Sequence, residues 1–180
     1  MNNCATSGKS RGLLAFANNT ETTDYVGMAE KTMRMASQRL GIPYTIITSD
    51  RAYNNQRIDV DTKKSTAWHN QGRWQAYDQS PYDETILLDA DYLVLTDRLL
   101  RLFDSPSDYL LCHENSLLET QQSKPGAWLG PIWATVLFFR KTPKSKMLFE
   151  MVQRIEQNYA YYREVFLVQE RKDRKSTRLN

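Results

Sequence analysis

Two aspartates, Asp89 and Asp91, stand inside a stretch that is otherwise apolar, from Thr85, Ile86, Leu87 and Leu88 on to Tyr92, Leu93, Val94 and Leu95. Carboxylates beside a buried strand are expensive to desolvate unless something offsets their charge. A divalent cation would do so. An i, i+2 pair can converge on one ion where a strand bends into its loop, and hard oxygen ligands suit Mg²⁺ or Mn²⁺ bridging a substrate diphosphate. Taken alone, the pair fits a strand end with two solvated acids equally well, because so short a pattern recurs by chance.

The elements that must position this pair read as alternating strands and helices. Residues 11–17 form a short apolar run with polar flanks, the mark of a buried strand. Tyr25, Met28, Ala29, Thr32, Met33, Ala36 and Leu40 then follow helical spacing, stopped by Gly41 and Pro43, and a second apolar run from Tyr44 to Thr48 completes a βαβ opening. Ser49 to Lys64 reads as a loop, and a helix is predicted from Thr66 to Gln79, ended by Ser80 and Pro81. The strand that starts at Thr85 is expected to resume after the acids as far as Leu95. Thr96 or Asp97 caps a short helix carrying Leu99, Leu100 and Phe103, and Tyr109 to Cys112 is a further strand. Glu114 to Pro131 is a long Gly- and Pro-containing loop of the kind that often serves as a functional lid. Ile132 to Phe139 returns to strand character, and Thr142-Pro143 opens a helix with Met147, Leu148, Met151, Val152 and Ile155 on one face. The pattern is α/β.

Other residues that could do chemistry carry weaker signals. Ser7, Gly8, Lys9 and Ser10 end like a phosphate-binding loop, but Asn3 stands where that loop needs its first glycine and no strand precedes it. No G-x-G-x-x-G follows the first strand, which leaves a dehydrogenase-type dinucleotide site unsupported. His69 and His113 are too few for a histidine metal site. His113 is the more suggestive, since with Glu114 it ends a predicted strand, where ligands of open α/β sheets gather.

Composition narrows the classes. The 180 residues suit one domain, with 41% hydrophobic residues to build its core. No apolar run approaches the roughly 18 residues of a membrane helix, and the polar start lacks a signal peptide's apolar stretch, so a soluble, cytoplasmic protein is expected. Cys4 and Cys112 form neither a disulfide framework nor a zinc-ligand spacing, which suits a reducing compartment. Residues 1–10 are expected to be a flexible start. The end, Asp173 to Asn180, resembles a translated sequencing-adapter read-through more than an ordinary basic tail. Without its three basic residues and one acid, the 24 basic and 21 acidic residues become 21 and 20, a net of +1, and no electrostatic argument for nucleic acid remains.

Tyr82 to Leu95, with an acid near a short break, an apolar strand, D-x-D and an apolar exit, resembles the metal-binding strand of glycogenin-like family-eight glycosyltransferases and their GT-A relatives. Asp97 to Phe103 is similar to the short helix that follows it in that family. The resemblance extends in order over about Gly12 to Phe166. It implies a GT-A fold, Rossmann-like, with a mixed and mainly parallel sheet flanked by helices, over residues 11–172. It also implies a nucleotide-sugar donor, a uridine one by preference, with an acceptor that could be a glycan, a protein or a small molecule. Asp89 and Asp91, with Ala90 between them, take the positions of the Mn²⁺ or Mg²⁺ ligands. Arg73, within Gly72 to Tyr77, matches the basic residue that reaches the donor phosphates. Ala17, Asn18, Asn19 and Tyr25 match the nucleotide-binding corner. No catalytic residue is matched.

The chain departs from the family in three places. Extra residues follow Asn19, Ile132 to Phe139 lacks the Asn-Ser-Gly expected on the acceptor side, and the histidine that relatives bring to the metal belongs to a segment beyond this chain, so a C-terminally incomplete domain is expected. The alternatives are a non-catalytic nucleotide- or carbohydrate-binding module of the same fold and a sugar nucleotidyltransferase. The latter lacks its Gly-rich N-terminal signature here. A HAD-type phosphatase would put its D-x-D after the first strand and a Thr or Val where Leu93 stands.

Overall fold

The computed structural model describes residues 8–48, 56–58, 65–67, 72–113 and 132–165. The expected lid of residues 114–131, the start at 1–7 and the end at 166–180 lie outside them. The first strand, β1 (Arg11–Phe16), leads to α1 (Tyr25–Leu40) and β2 (Tyr44–Ile47) as the apolar spacing predicts. Asp24 caps α1, its side chain accepting from the Gly27 amide, and Gly41 ends it at φ 67, a left-handed conformation that glycine adopts without strain.

Two differences follow α1 and β2. The segment read as loop and helix contains an antiparallel ribbon, β3 (Gln56–Ile58) with β4 (Ser65–Ala67). Of the predicted helix over Thr66 to Gln79, the described residues show strand at Thr66 and Ala67 and a 3₁₀ turn at Arg73–Gln75 running into α2 (Ala76–Gln79). The physical stop of that helix is Gly72, whose φ of 84 is incompatible with a helix passing through. The strand β5 (Glu84–Leu88) ends before the aspartates, and Tyr92 to Leu95 does not resume it. Asp97–Asp104 is a 3₁₀ helix capped by Thr96, followed by β6 (Tyr109–His113), β7 (Ile132–Arg140) and α3 (Pro143–Gln157).

The strands assemble in the order β2-β1-β5-β7-β6. β1 is parallel to β2 and β5, while β7 runs against both β5 and β6, so four of five strands point the same way. This is the mixed, mainly parallel sheet expected, with helices on both faces. Alternation along the central strands divides the core. Leu13, Ala15, Ile86, Leu88, Val136 and Phe138 face α1 and Phe103, while Leu14, Leu87, Leu137 and Phe139 face Ala76 of α2 and Phe149 of α3. Among the described residues no helix is long and apolar enough to cross a membrane.

The face of α3 that packs is not the one the apolar spacing selects. Ser145 and Phe149 are buried, whereas Met147, Met151 and Val152 are exposed. Two local forces turn the helix this way. The Ser145 hydroxyl donates to the Asp108 carbonyl at 3.0 Å, and Phe149 stacks edge-on against Phe139 with ring centroids 4.9 Å apart.

Candidate functional site

β5 is the middle strand of the sheet, paired on both sides and buried along its whole length. Its ladder carries one residue further, since the Asp89 amide donates to the Thr135 carbonyl at 3.1 Å. The chain then turns, closed by the Tyr92 amide on the Asp89 carbonyl at 3.1 Å. Asp89 is thereby fixed at the carboxyl edge of the sheet, partly exposed, and Asp91 is exposed on the turn. From α1, the buried Thr32 hydroxyl donates to the Ala90 carbonyl at 2.8 Å and ties the turn to the helix beneath it.

Parallel register places the other predicted positions at the same edge. Ala15 pairs with Leu88 and Phe16 with Ile47, so β1, β2 and β5 end together. Ala17 is buried, and its amide donates to the Ile47 carbonyl at 3.0 Å. Asn18 follows half-buried. The Asn19 side-chain oxygen accepts from the Val26 amide at 2.8 Å, joining Asp24 in satisfying the start of α1. Tyr25 is the first residue of that helix. His113 ends β6 at this same edge but two strands across from β5, and His69 lies outside the described residues.

Arg73 comes from a separate element and meets Asp89 directly. Its Nη1 lies 2.5 Å from Asp89 Oδ1, with 12% of the Arg73 side chain and 28% of the Asp89 side chain exposed. Burial lowers the affinity of the guanidinium for its proton while the charge and hydrogen bond of Asp89 raise it, and the net stays below the ordinary arginine value. Its Nη2 is buried without a hydrogen-bond partner among the described residues. A buried donor left over beside an ion pair has capacity for one more acceptor oxygen. Two carboxylates at a strand end, one of them already paired with a cationic side chain, are ligand types that a hard divalent ion accepts. Among the described residues no group of three or more His, Cys, Asp or Glu gathers to enclose such an ion.

Two contributors escape sequence reasoning. Thr32 sits within the apolar stripe of α1, and no spacing rule distinguishes its bond to Ala90 from ordinary packing. Glu156 of α3 lies behind the Arg73 turn, both its oxygens 3.0 Å from the Gly72 amide nitrogen. That contact spans 84 positions of sequence.

No protein-family model and no curated protein sequence matches the chain. Among solved structures it is similar to a glycosyltransferase involved in the glycosylation of the major capsid of PBCV-1, at 14% identity and a TM-score of 0.48 over 84% of this chain and 74% of that one. It is also similar to the apo-form glycosyltransferase GlyE of Streptococcus pneumoniae TIGR4, at 18% identity and a TM-score of 0.48 over 87% of this chain and 39% of that one. Both likenesses are distant, and the chemistry of the site stands on its own geometry.

Proposed function

We propose that the chain is the donor-binding part of a metal-dependent glycosyltransferase of the GT-A type, which takes a sugar from a nucleoside diphosphate, a uridine one by preference, to an acceptor. The observation that carries this reading is the meeting of Arg73 with Asp89 at the carboxyl edge of β5, beside Asp91 and the ends of β1 and β2. Open α/β sheets bind ligands outside the carboxyl ends of their strands. A mixed cluster of acids and one guanidinium there suits a group that is itself a cation bound to an anion.

Asp89 and Asp91 would hold Mn²⁺ or Mg²⁺, which when bound offsets the charge that develops on a departing diphosphate. Arg73 binds and orients the phosphates, using the Nη2 donor that has no hydrogen-bond partner among the described residues. Ala17, Asn18, Asn19 and Tyr25 form the wall against which base and ribose lie, with Asn19 held in place by its bond to the start of α1. Thr32 keeps Ala90, and hence both flanking acids, at a fixed height above the sheet.

Calorimetry with UDP and with GDP, each with and without Mn²⁺, tests the assignment. Binding should require the metal and should favour UDP. Replacing Asp91 with asparagine should weaken diphosphate binding by several kcal/mol, and equal affinity in that variant and the wild type would defeat the metal assignment. Slow metal-dependent hydrolysis of a UDP-sugar would mark an enzyme, whereas tight binding without turnover would mark a binding module.

A further inference from the structure

Glu156 stands outside the cluster of charges at the edge of β5, yet its carboxylate is spent on the two residues that flank Arg73. Both oxygens bond the Gly72 amide at 3.0 Å, and the Trp74 side chain hydrogen-bonds it as well. Gly72 is buried and left-handed at φ 84, so it makes a sharp entry into the 3₁₀ turn whose first residue is Arg73. That turn is short and lacks a side-chain cap of its own. The Glu156 carboxylate accepts from the amide of the cap residue itself, the bond that the glutamate of a capping box makes, here reaching across from another helix. Burial pushes its carboxyl above the ordinary glutamate range, with the Gly72 and Trp74 bonds working against that rise. An acid held there at such a cost, and bonded to both neighbours of one arginine, fixes where that arginine points.

We infer that Glu156 is a positioning residue for Arg73, holding Gly72 and Trp74 so that the guanidinium is presented to Asp89 and to the diphosphate. This rests on the donor-site reading of Arg73 given above. A simpler role, fastening α3 to the turn for stability alone, is separated from it by a double-mutant cycle.

Affinity for UDP with Mn²⁺ would be measured by calorimetry for the wild type, Arg73→Ala, Glu156→Ala, Glu156→Gln and the double alanine variant, with melting temperatures alongside. Arg73→Ala should weaken binding roughly ten- to a hundredfold, the scale of a hydrogen bond to a charged group. Glu156→Ala should cost a similar factor, and the double variant should bind within about twofold of Arg73→Ala, because a misplaced arginine and an absent one are equivalent. Glu156→Gln keeps one acceptor oxygen for Gly72 and should recover most of the affinity. Trp74→Phe removes one of the bonds to Glu156 and carries the same cycle if Glu156→Ala fails to fold. Losses that multiply in the double variant, or a lowered melting temperature with unchanged affinity, would overturn the positioning role and leave the site reading intact. Wild-type protein that binds no UDP with Mn²⁺, or Arg73→Ala that binds as the wild type does, would overturn both.

Discussion

Replacing Glu84 with glutamine should destabilise the protein by about 3 kcal/mol, and the structure shows where that figure comes from. Glu84 opens β5 at 3% exposure, its two oxygens each 2.8 Å from an arginine Nε, that of Arg11 and that of Arg140. Removing one partner of a buried ion pair typically costs about 3–5 kcal/mol, because the other charge stays behind unpaired. The two arginines are not equally trapped. The Arg11 side chain is 47% exposed and can turn to water, whereas that of Arg140 is 14% exposed and anchored to the carbonyls of Ser107 and Phe103. One trapped guanidinium instead of two places the loss at the lower end, about 3 kcal/mol, and at roughly 2–4 °C per kcal/mol for a chain this size the melting temperature should fall by about 6–12 °C.

The pH dependence supplies a second readout for the same variant. Burial alone would raise the Glu84 carboxyl, but the hydrogen bonds and charges of Arg140 and Arg11 outweigh it and hold the group below the ordinary glutamate value. A depressed carboxyl stabilises the fold fully above its unfolded value, and the contribution disappears as pH falls through the folded one. Thermal unfolding followed by circular dichroism from neutral pH down to about pH 3 should therefore show wild type and Glu84→Gln converging on the acid side. A melting temperature within about 2 °C of wild type at neutral pH, or a gap that does not narrow in acid, would refute the reasoning.

Three further outcomes are expected. Thr32→Val keeps the side chain's shape but strands the Ala90 carbonyl, and should cost about 1–3 kcal/mol while weakening UDP with Mn²⁺ in calorimetry; unchanged binding would show that the Asp89–Asp91 turn holds itself. Gly41→Ala puts a Cβ on a left-handed residue at φ 67 with nothing near it, so chemical denaturation should report a loss of about 1–2 kcal/mol from backbone strain alone. Gly12→Ala would bring a Cβ to 2.3 Å from the Tyr82 ring and displace the tyrosine from its 3.0 Å bond with Thr45, so a loss of about 1–3 kcal/mol is expected by the same assay.

What the sequence makes legible is what depends on local pattern. The βαβ opening can be read because an apolar run, a capping aspartate and a stopping glycine sit in consecutive order. The acids can be read because polar residues in an apolar stretch call for a cause. Contacts between distant elements leave no such trace. Arg73 is singled out only by the family resemblance, and its pairing with Asp89 depends on the turn after Gly72, which lies inside a stretch whose spacing predicts a helix. α3 shows the limit of periodicity most clearly. Its methionines mark an apolar stripe, yet a buried serine hydroxyl and a single phenylalanine decide which way the helix faces. The ribbon of β3 and β4 has three residues per strand and no hairpin signature between them, too little for spacing to detect.

The position of Asp89 at the last rung of the sheet has a consequence for how the two acids behave in time. Amides within β5 are bonded between two neighbouring strands, so they exchange with solvent only when the whole sheet opens, and Asp89 shares that protection through Thr135. Beyond the Tyr92 bond the chain meets water again, with Leu93 and Leu95 exposed at 56% and 72%. Deuterium uptake should therefore jump within a few residues, from the slowest amides of the molecule to some of its fastest. Asp89 and Asp91 therefore straddle this step, one on the protected rung and one on the exposed turn that Thr32 ties down, so exchange at their two amides reports separately on the sheet and on the turn.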